Sequence, residues 1–551
     1  MKHFDFLAHA GRAREIFKVI ARYGFEDLLQ QAGAPPGMWR QILPRPIRPA
    51  TTEERIRTAA EELGPAFIKL GQVLSMRPDI VPEPLVLELR RLRDQVKPLP
   101  FAEMKPVLDG ALGRPHSEVF DAFDESPTAS ASLAQVYRAR CRNGASAVAV
   151  KVQKPGVERM IEIDLDFAAW LANQLHARSS ALRPYDLPSV VREVRKGMVR
   201  ELDFRNEAHN QTYFNAVNPH ADRVFAPRVF AELSSEKVLV TEWVDGVPVG
   251  EARLPPERLA ALARDCASSL IHQVLVNGFF HGDPHAGNVI IAGDGRIAFL
   301  DWGLVGHLTK RLRHALADFW IAAVNQDAER IVRIAVELAP TEARPDVREM
   351  ERDVTLSLRE ELDFAGGRPQ LGRAMLRLLY ILGSNGIPLS RDYSLMAKAV
   401  LSIEESARAL DPLFDIRKCA QPVLEELQAD RWSTKTVAGS LMDFVRGSMQ
   451  ELKDLPLELR RLTRRLEHDN LTVNFQHRGL EDLQSTVSVA ASRITLGVIV
   501  GSLIVGSSLI VTTGAGPRLF GYPALGIIGY LISALFGCYI VFDIIRHSRH
   551  K

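Results

Sequence analysis

Between His281 and Gly303 the chain reads His-Gly-Asp-Pro-His-Ala-Gly-Asn, a β-branched run, an Asp294-Gly295 turn, a second apolar run and Asp301-Trp302-Gly303. A polar loop that feeds straight into a strand, a tight turn and a second strand ending on another carboxylate fits few folds, and it constrains the rest of the chain. Asp283, Asn288 and Asp301 stand at offsets 0, +5 and +18. One carboxylate and one amide oxygen can hold Mg²⁺ on a triphosphate while a second carboxylate faces an attacking hydroxyl or water. The residue types point to phosphoryl transfer, with Asn288 and Asp301 as metal ligands and Asp283 toward the acceptor.

That order and spacing are those of the catalytic Asp, metal-binding Asn and metal-binding Asp of a protein-kinase active site. Upstream, Val119–Phe123, Ser132–Ala139 and Ala147–Val152 read as strands around an Asn143-Gly144 turn, and Lys151 closes Val148-Ala149-Val150-Lys151. A lysine ending a buried strand is costly unless an anion meets it. Alone, Lys151 reads equally well as an edge lysine with a solvated head. Set one nucleotide-binding lobe upstream of Asp283, it reads as the lysine that holds the α- and β-phosphates of ATP. Strands resume at Arg228–Glu232 and Lys237–Val244, and Thr241–Gly246 suits an interlobe hinge whose backbone at Glu242 and Val244 meets an adenine edge. Pro255–Val276 then reads as a helix entering the loop.

Helical patterns fill the flanks. Thr51-Thr52-Glu53-Glu54 looks like a cap opening a helix through Leu63. In Gly64–Asp79, Lys69 and Gln72 lie three apart on one side of a helix, which by spacing alone suits an exposed polar face. Glu201, Asp203 and Glu207 read as three acids on a helix, either a solvated face or groups with different partners, since residues two apart cannot share a face. From Leu304 to Gln476 the pattern stays helical, with Trp320, Leu378–Leu382 and Leu395–Leu401 as core positions and Glu451–His468 as a solvated or membrane-proximal helix. Near the N-terminus, Phe4, Leu7, Ile16, Phe17 and Ile20 alternate with basic residues, which is no secretory signal. Two readings stand for this amphipathic segment, docked on the fold or lying on a membrane surface.

Charge narrows the partners: 69 Lys and Arg against 67 Asp and Glu give no nucleic-acid field. Cys141, Cys266, Cys419 and Cys538 are scattered, which fits a reducing compartment and neither a disulfide framework nor a zinc site. Ile494–Thr513 is charge-free over 20 residues, about 30 Å as a helix, and Leu519–Phe542 is a second such run. Together they predict a membrane hairpin, in which Gly497 and Gly501 form a small-x-x-x-small step. Arg493, Arg546, Arg549 and Lys551 flank it against Arg518 alone in the turn, which places both ends and the catalytic part on the cytoplasmic side.

With these residues in view, the chain resembles the UbiB/AarF family of atypical kinase-like proteins, and its two C-terminal spans look like those of bacterial ubiquinone-biosynthesis members. Lys69, Gly71 and Gln72 match the family's K-x-G-Q signature, and Glu201 with Asp203 its E-x-D signature. The resemblance implies that the K-x-G-Q helices cover the place where an ordinary kinase receives a peptide, with Lys69 pairing toward Glu201 and Glu207 salt-bridging Lys151. It assigns Thr128, Ala129, Ser130, Ala131, Ser132, Leu133, Ala134, Gln135 and Val136 to an alanine-rich nucleotide loop in place of G-x-G-x-x-G. Here Ala129-Ser130-Ala131-Ser132 replaces one alanine of the family's form by serine. Alanine narrows the backbone freedom that glycine gives, so slow ATP hydrolysis or an unusual acceptor is expected over protein phosphorylation. Gly282 stands where kinases carry the H-R-D arginine, and Trp302 where they carry Phe.

The expected architecture is α+β, a two-lobed kinase-like fold. It divides into a helical K-x-G-Q extension (1–110), an N-lobe (111–246), a C-lobe (247–410), a helical extension (411–490) and a transmembrane hairpin with a basic tail (491–551). The implied cofactors are ATP and Mg²⁺. The implied role is a membrane-anchored atypical kinase or ATPase supporting ubiquinone biosynthesis at the bacterial inner membrane, with Asp283, Lys69, Glu201 and Asp203 as catalytic residues. The rival is a lipid-binding pseudokinase or scaffold presenting quinone precursors. Membrane lipids, quinone precursors, other quinone-biosynthesis proteins and a second copy of the chain are the expected partners, and nucleic acid is not.

Overall fold

The structure, a computed structural model, describes the chain apart from residues 1–8, 35–50, 76, 78–80, 93–96, 143–146, 180–182, 184–185, 340–345, 363–369, 386, 388–390, 432–479, 514–516, 520–521 and 549–551. The Asn143-Gly144 turn and the Glu451–His468 helix fall outside the described residues. Two compact units emerge, Met1–Val437 and Ala438–Lys551.

The first unit opens with helices α1 (Ala10–Arg22), α2 (Glu26–Ala32), α3 (Thr52–Leu63), α4 (Pro65–Leu74) and α5 (Glu83–Leu89). Helix α1 is docked, which decides between its two readings. Ile16 and Phe17 are fully buried and Phe17 packs edge-on against Phe167, 5.3 Å between centroids. Arg12 forks onto the buried Asp164 at 2.7 and 2.8 Å and donates to the Leu63 carbonyl at 2.6 Å. Thr51 caps α3 as its sequence suggests: its hydroxyl accepts the Glu54 N–H, and the Glu54 carboxylate accepts the Thr51 N–H, both at 3.2 Å. Gly71 lets α4 approach the α5 segment closely, because a Cβ there would collide with the Leu92 side chain.

The chain continues with α6 (Phe101–Leu112), α7 (His116–Val119), β1 (Phe120–Phe123), β2 (Ala129–Ser130), β3 (Ala134–Cys141) and β4 (Ala147–Gln153). Three helices, α8 (Val157–Arg178), α9 (Leu187–Leu202) and α10 (Phe204–Val217), then precede β5 (Val224–Phe225) and β6 (Val238–Glu242). The sheet runs β1-β3-β4-β6, antiparallel throughout, with β2 folded onto β3. The β-branched residues of β4 and β6 fill its core, where Val148, Val150, Val152, Val238 and Val240 are buried. The expected strand Arg228–Glu232 shrinks to one bridge, Val229 to Thr241. The chain there turns into a 3₁₀ helix at Ala231–Leu233, fastened by the Ser234 hydroxyl on the Phe230 carbonyl at 2.8 Å, so no ladder can continue.

After β6 come β7 (Gly246–Pro248) and α11 (Pro256–His272), whose last turn widens into a π-helical turn, Gln273–Asn277. Strands β8 (Phe279–His281), β9 (Val289–Ala292), β10 (Ile297–Phe299) and β11 (Val305–His307) follow. They build two small sheets, β5-β10-β9-β7 and β11-β8. Helices α12 (Lys310–Val324), α13 (Ala328–Leu338), α14 (Val347–Leu362), α15 (Leu371–Ser384), α16 (Arg391–Leu410) and α17 (Ile416–Arg431) complete the unit. Trp320, Leu378, Leu382, Leu395 and Val400 sit in one continuous apolar core with α11 and β8–β10.

The second unit contains α18 (Leu480–Thr513), β12 (Arg518–Leu519), β13 (Tyr522–Pro523) and α19 (Ala524–Ser548). The helices run antiparallel, with the Ser508 and Tyr530 hydroxyls 2.5 Å apart. Their close approach uses Gly526 and Gly529, where a Cβ would meet Val511 and Ser507, and not the expected Gly497 and Gly501 step, where a Cβ meets nothing. Among the described residues one helix, Ile494–Thr513, is long and apolar enough to cross a membrane. The second expected run falls in α19, of which Ala524–Tyr539 is an apolar stretch among the described residues.

Candidate active site

The site grows from β8. The His281 backbone N–H donates to Gln273 Oε1 at 2.9 Å, so the π-turn of α11 sets where the loop starts. His281 is wholly buried, and its Nδ1 accepts the Asp283 N–H at 3.0 Å. Burial lowers its pKa from 6.5 to about 4, which keeps the ring neutral and Nδ1 an acceptor. The Asn288 amide reaches back to the Asp283 carbonyl at 3.4 Å, while the Asn288 carbonyl accepts the Leu300 N–H at 2.9 Å. Strands β9 and β10 pair antiparallel, Val289 against Phe299, which returns Asp301 to the side of Asn288. Gly282 has no room for a side chain, because a Cβ would lie 2.9 Å from Leu395 Cδ1 and 3.0 Å from the Leu304 carbonyl.

Across the cleft, Lys151 projects from β4 and bonds both Glu207 oxygens at 2.8 and 3.0 Å. Asp301 Oδ1 lies 3.7 Å from the same ammonium. Burial works against that positive charge, and the carboxylates of Asp301 and Glu207 more than offset it, so the lysine pKa lies above its ordinary value. Asp301 is held far below the carboxylate range, first by Lys151 and further by the Gly303 N–H that its Oδ1 accepts at 3.0 Å. Glu207 is raised by burial, against the pull of Lys151. With its side chain 49% exposed, Asp301 has a free carboxylate edge next to a fixed ammonium.

The three acids expected on one helix lie on two. Glu201 sits in the last turn of α9, where Lys69 of α4 reaches it at 2.6 Å. Asp203 breaks the helix: its carboxylate accepts the Arg205 N–H at 3.1 Å as the cap of α10 and forks with the Arg205 guanidinium at 2.7 and 2.8 Å. It therefore shapes the turn between the acids and is spent on Arg205. Glu207 lies one turn into α10, buried.

The nucleotide-loop residues divide. Thr128 N–H bonds the Val136 carbonyl at 2.8 Å, and β2 (Ala129 and Ser130) pairs with Val136 and Gln135. The Ala131 carbonyl accepts Lys154 Nζ at 2.7 Å. Leu133 is buried among Ala66 of α4, Ile161 of α8 and Met198 of α9, and Ala134 packs on Phe204 and Leu239. The Gln135 side chain, also fully buried, is spent on the backbone of Leu99 at 2.6 and 3.2 Å and on the Tyr137 hydroxyl at 2.7 Å. Leu133 and Gln135 thus anchor the loop and do not present their side chains to a ligand. The hydroxyl oxygens of Ser130 and Ser132 are buried without a hydrogen-bond partner among the described residues. Glu242 ends β6 with its carboxylate on the Arg228 N–H at 3.4 Å, and Val244 lies in the connection to β7.

Two sets of residues escaped the sequence reading. On the face of α10 that carries Glu207 stand Asn210, Gln211 and Phe214 at helical spacing. Asn210 donates to the Trp302 carbonyl at 2.9 Å, Gln211 to the Leu300 carbonyl at 3.2 Å, and Phe214 stacks on Trp302 at 4.4 Å between centroids. The indole N–H of Trp302 bonds the Phe299 carbonyl at 3.0 Å, so the larger ring adds a bond that Phe could not make. The second is Lys398 of α16, whose Nζ lies 2.9 Å from Asp283 Oδ2. Its signal was a lone lysine inside the apolar run Leu395–Leu401.

Comparison with known proteins agrees with this architecture. Residues 91–335 match the ABC1 atypical kinase-like domain, and residues 478–546 the ABC1/UbiB kinase-like C-terminal domain. A "Probable protein kinase UbiB" of Xanthomonas campestris pv. campestris is 31% identical over 86% of this chain and 87% of that protein. The same name belongs to a Xanthomonas oryzae pv. oryzae protein, 31% identical over 91% of this chain and 92% of its own length. An "Uncharacterized protein in hydrogenase 1 5'region" of Clostridium pasteurianum is 27% identical over 97% of this chain and 98% of that protein.

Proposed function

Because the chain belongs to the ABC1/UbiB family of atypical kinase-like proteins, we propose that it is a membrane-anchored, Mg·ATP-dependent phosphotransferase or ATPase that supports prenylated-quinone biosynthesis. The observation that carries the chemistry is the meeting of Lys151, Glu207 and Asp301, at 2.8 and 3.7 Å, opposite the Asp283–Asn288 loop. The donor set suits a hard cation: Asp301 is ionised and half exposed, and Asn288 stands beside it. Mg²⁺ held there would neutralise charge on the β- and γ-phosphates. Lys151, oriented by Glu207, holds the α- and β-phosphates. The unpaired Ser130 and Ser132 hydroxyls are spare donors in the loop above them. Asp283 orients the acceptor hydroxyl or water and takes its proton.

Two features favour water or a small acceptor over a protein substrate, although the Xanthomonas relatives are named probable protein kinases. The alanine loop is pinned by Lys154 and Leu133, and α4 is tied to α9 by the Lys69–Glu201 pair beside the cleft. The quinone pathway follows from the family. Anchoring rests on Ile494–Thr513, and the basic flanks favour two spans with the catalytic unit in the cytoplasm. The direct test is ATP turnover by the full chain in phosphatidylcholine liposomes, with Mg²⁺ and with EDTA. Turnover that needs Mg²⁺ and disappears in Asp301→Asn is expected, and an Asp301→Asn variant with parental turnover removes the metal assignment.

The tie of the K-x-G-Q helix α4 to α9 through Lys69 and Glu201 favours a second reading, a nucleotide-responsive scaffold for quinone precursors. Complementation of a quinone-deficient strain with Asp283→Asn separates the two. Full rescue by a variant without turnover selects the scaffold.

A further inference from the structure

We propose that Lys398 is a catalytic residue that contacts the transferred phosphoryl group, a cation delivered to the catalytic loop by a helix more than a hundred residues downstream. This inference rests on the ATP-site reading above. The loop itself, His281 to Asn288, contains no lysine or arginine, and Lys151 is committed to Glu207 and Asp301. Phosphoryl transfer nevertheless accelerates most when a cation meets the charge on the γ-phosphoryl oxygens.

Helix α16 is built to deliver one. Leu395, Lys398, Ser402 and Ser406 recur at intervals of three and four and so share one face. That face lies against the loop at three levels. Leu395 fills the space that a side chain on Gly282 would need, Lys398 Nζ reaches Asp283 Oδ2 at 2.9 Å, and the Ser406 hydroxyl donates to the Pro284 carbonyl at 3.1 Å. The neighbours of Lys398 in sequence, Leu395, Met396, Ala397, Ala399 and Val400, are all buried, and its side chain, 25% exposed, runs out of that core to place the ammonium at the loop. A core helix interrupted by a lysine needs a compensating anion, and without nucleotide that anion is Asp283. Gly282 and Lys398 are thus two sides of one arrangement: the position that carries arginine in ordinary kinases is emptied so that α16 can approach and bring its own cation.

The step balances without a co-reactant. The oxygen of water or an acceptor hydroxyl forms a bond to the γ-phosphorus, the bond from that phosphorus to the β,γ-bridging oxygen breaks, and the electron pair leaves with ADP. The acceptor proton passes to Asp283. Lys398 stays an ammonium throughout, donating to γ-phosphoryl oxygens with one N–H while another keeps Asp283 in place.

The test uses the full chain in liposomes, with ATP turnover, binding of Mg·ATP and Mg·ADP, and thermal unfolding measured on the parent, Lys398→Met and Lys398→Arg. For Lys398→Met, kcat falls by about 10²- to 10³-fold, as for loss of one preorganised donor. ADP has no γ-phosphate, so its affinity stays within about twofold, whereas the preference for ATP over ADP is lost. A merely structural lysine would lower ADP affinity and unfolding temperature together, and that result overturns the proposal, as does parental kcat in Lys398→Met. If Lys398→Met does not accumulate folded, Lys398→Arg decides: retained ATP preference supports the assignment, and lost preference in a folded variant overturns it. A parent that binds no Mg·ATP removes the ATP-site reading and this inference with it, whereas normal parental turnover with an unaffected Lys398→Met removes only this inference.

Discussion

Acid should unlock the Asp283 loop through His281, and the size of the effect follows from its burial. The imidazole is 0% exposed, its Nδ1 accepts the Asp283 N–H at 3.0 Å, and burial takes its pKa from 6.5 to about 4. Protonation would turn that acceptor into a donor facing another donor. Because the folded pKa is the lower one, the unfolded chain binds the extra proton, so the stability contribution is intact above about pH 6.5 and is lost as pH falls toward 4. At 1.36 kcal/mol per pH unit the full loss is about 3 kcal/mol, of which about 2 kcal/mol has gone at pH 5. Asparagine can place its amide oxygen where Nδ1 stands without titrating, so His281→Asn is the control. Urea unfolding in detergent at pH 7.5 and pH 5.0 should show the parent losing about 2 kcal/mol more than His281→Asn. Equal losses in the two proteins would refute a neutral, load-carrying His281.

Two further perturbations test the frame around the site. Arg12→Met leaves the buried Asp164 carboxylate without its forked partner, which should cost about 3 kcal/mol and release α1 to limited proteolysis; unchanged protease resistance would contradict the docked helix. Gly282→Ala forces a Cβ to within 2.9 Å of Leu395 and 3.0 Å of the Leu304 carbonyl, an overpacking of about 1–3 kcal/mol. Its ATP turnover should fall further than its unfolding temperature suggests, because the displaced atoms flank Asp283; parental turnover would show that the loop tolerates a side chain there.

What could be read in advance was local. Asp283, Asn288 and Asp301 lie within one loop and hairpin, so their spacing encodes their geometry, and strand pattern placed Lys151 on β4. The capping box at Thr51 and Glu54 is local as well. The reading of Glu201, Asp203 and Glu207 as one helix failed because Asp203 has two roles open to it, helix interior or cap, and only the Arg205 N–H it accepts selects the second. Gln135 looked like part of a nucleotide loop, yet a glutamine can satisfy its amide in the core, as this one does on Leu99 and Tyr137.

The sequence by itself determined the residue types on offer: Lys151, then Asp283, Asn288 and Asp301 at kinase-like spacing, with an apolar helix of bilayer length at the far end. The tertiary structure alone decided which distant groups serve that chemistry. Asp164 receives Arg12 across 152 positions, α10 fastens the Trp302 segment with Asn210, Gln211 and Phe214, and Lys398 meets Asp283 across 115 positions. Spacing along a chain reports geometry only as far as one helix, strand or turn persists. Contacts between elements depend on how whole faces pack, and a lysine in an apolar run shows that an anion must be near without saying which one.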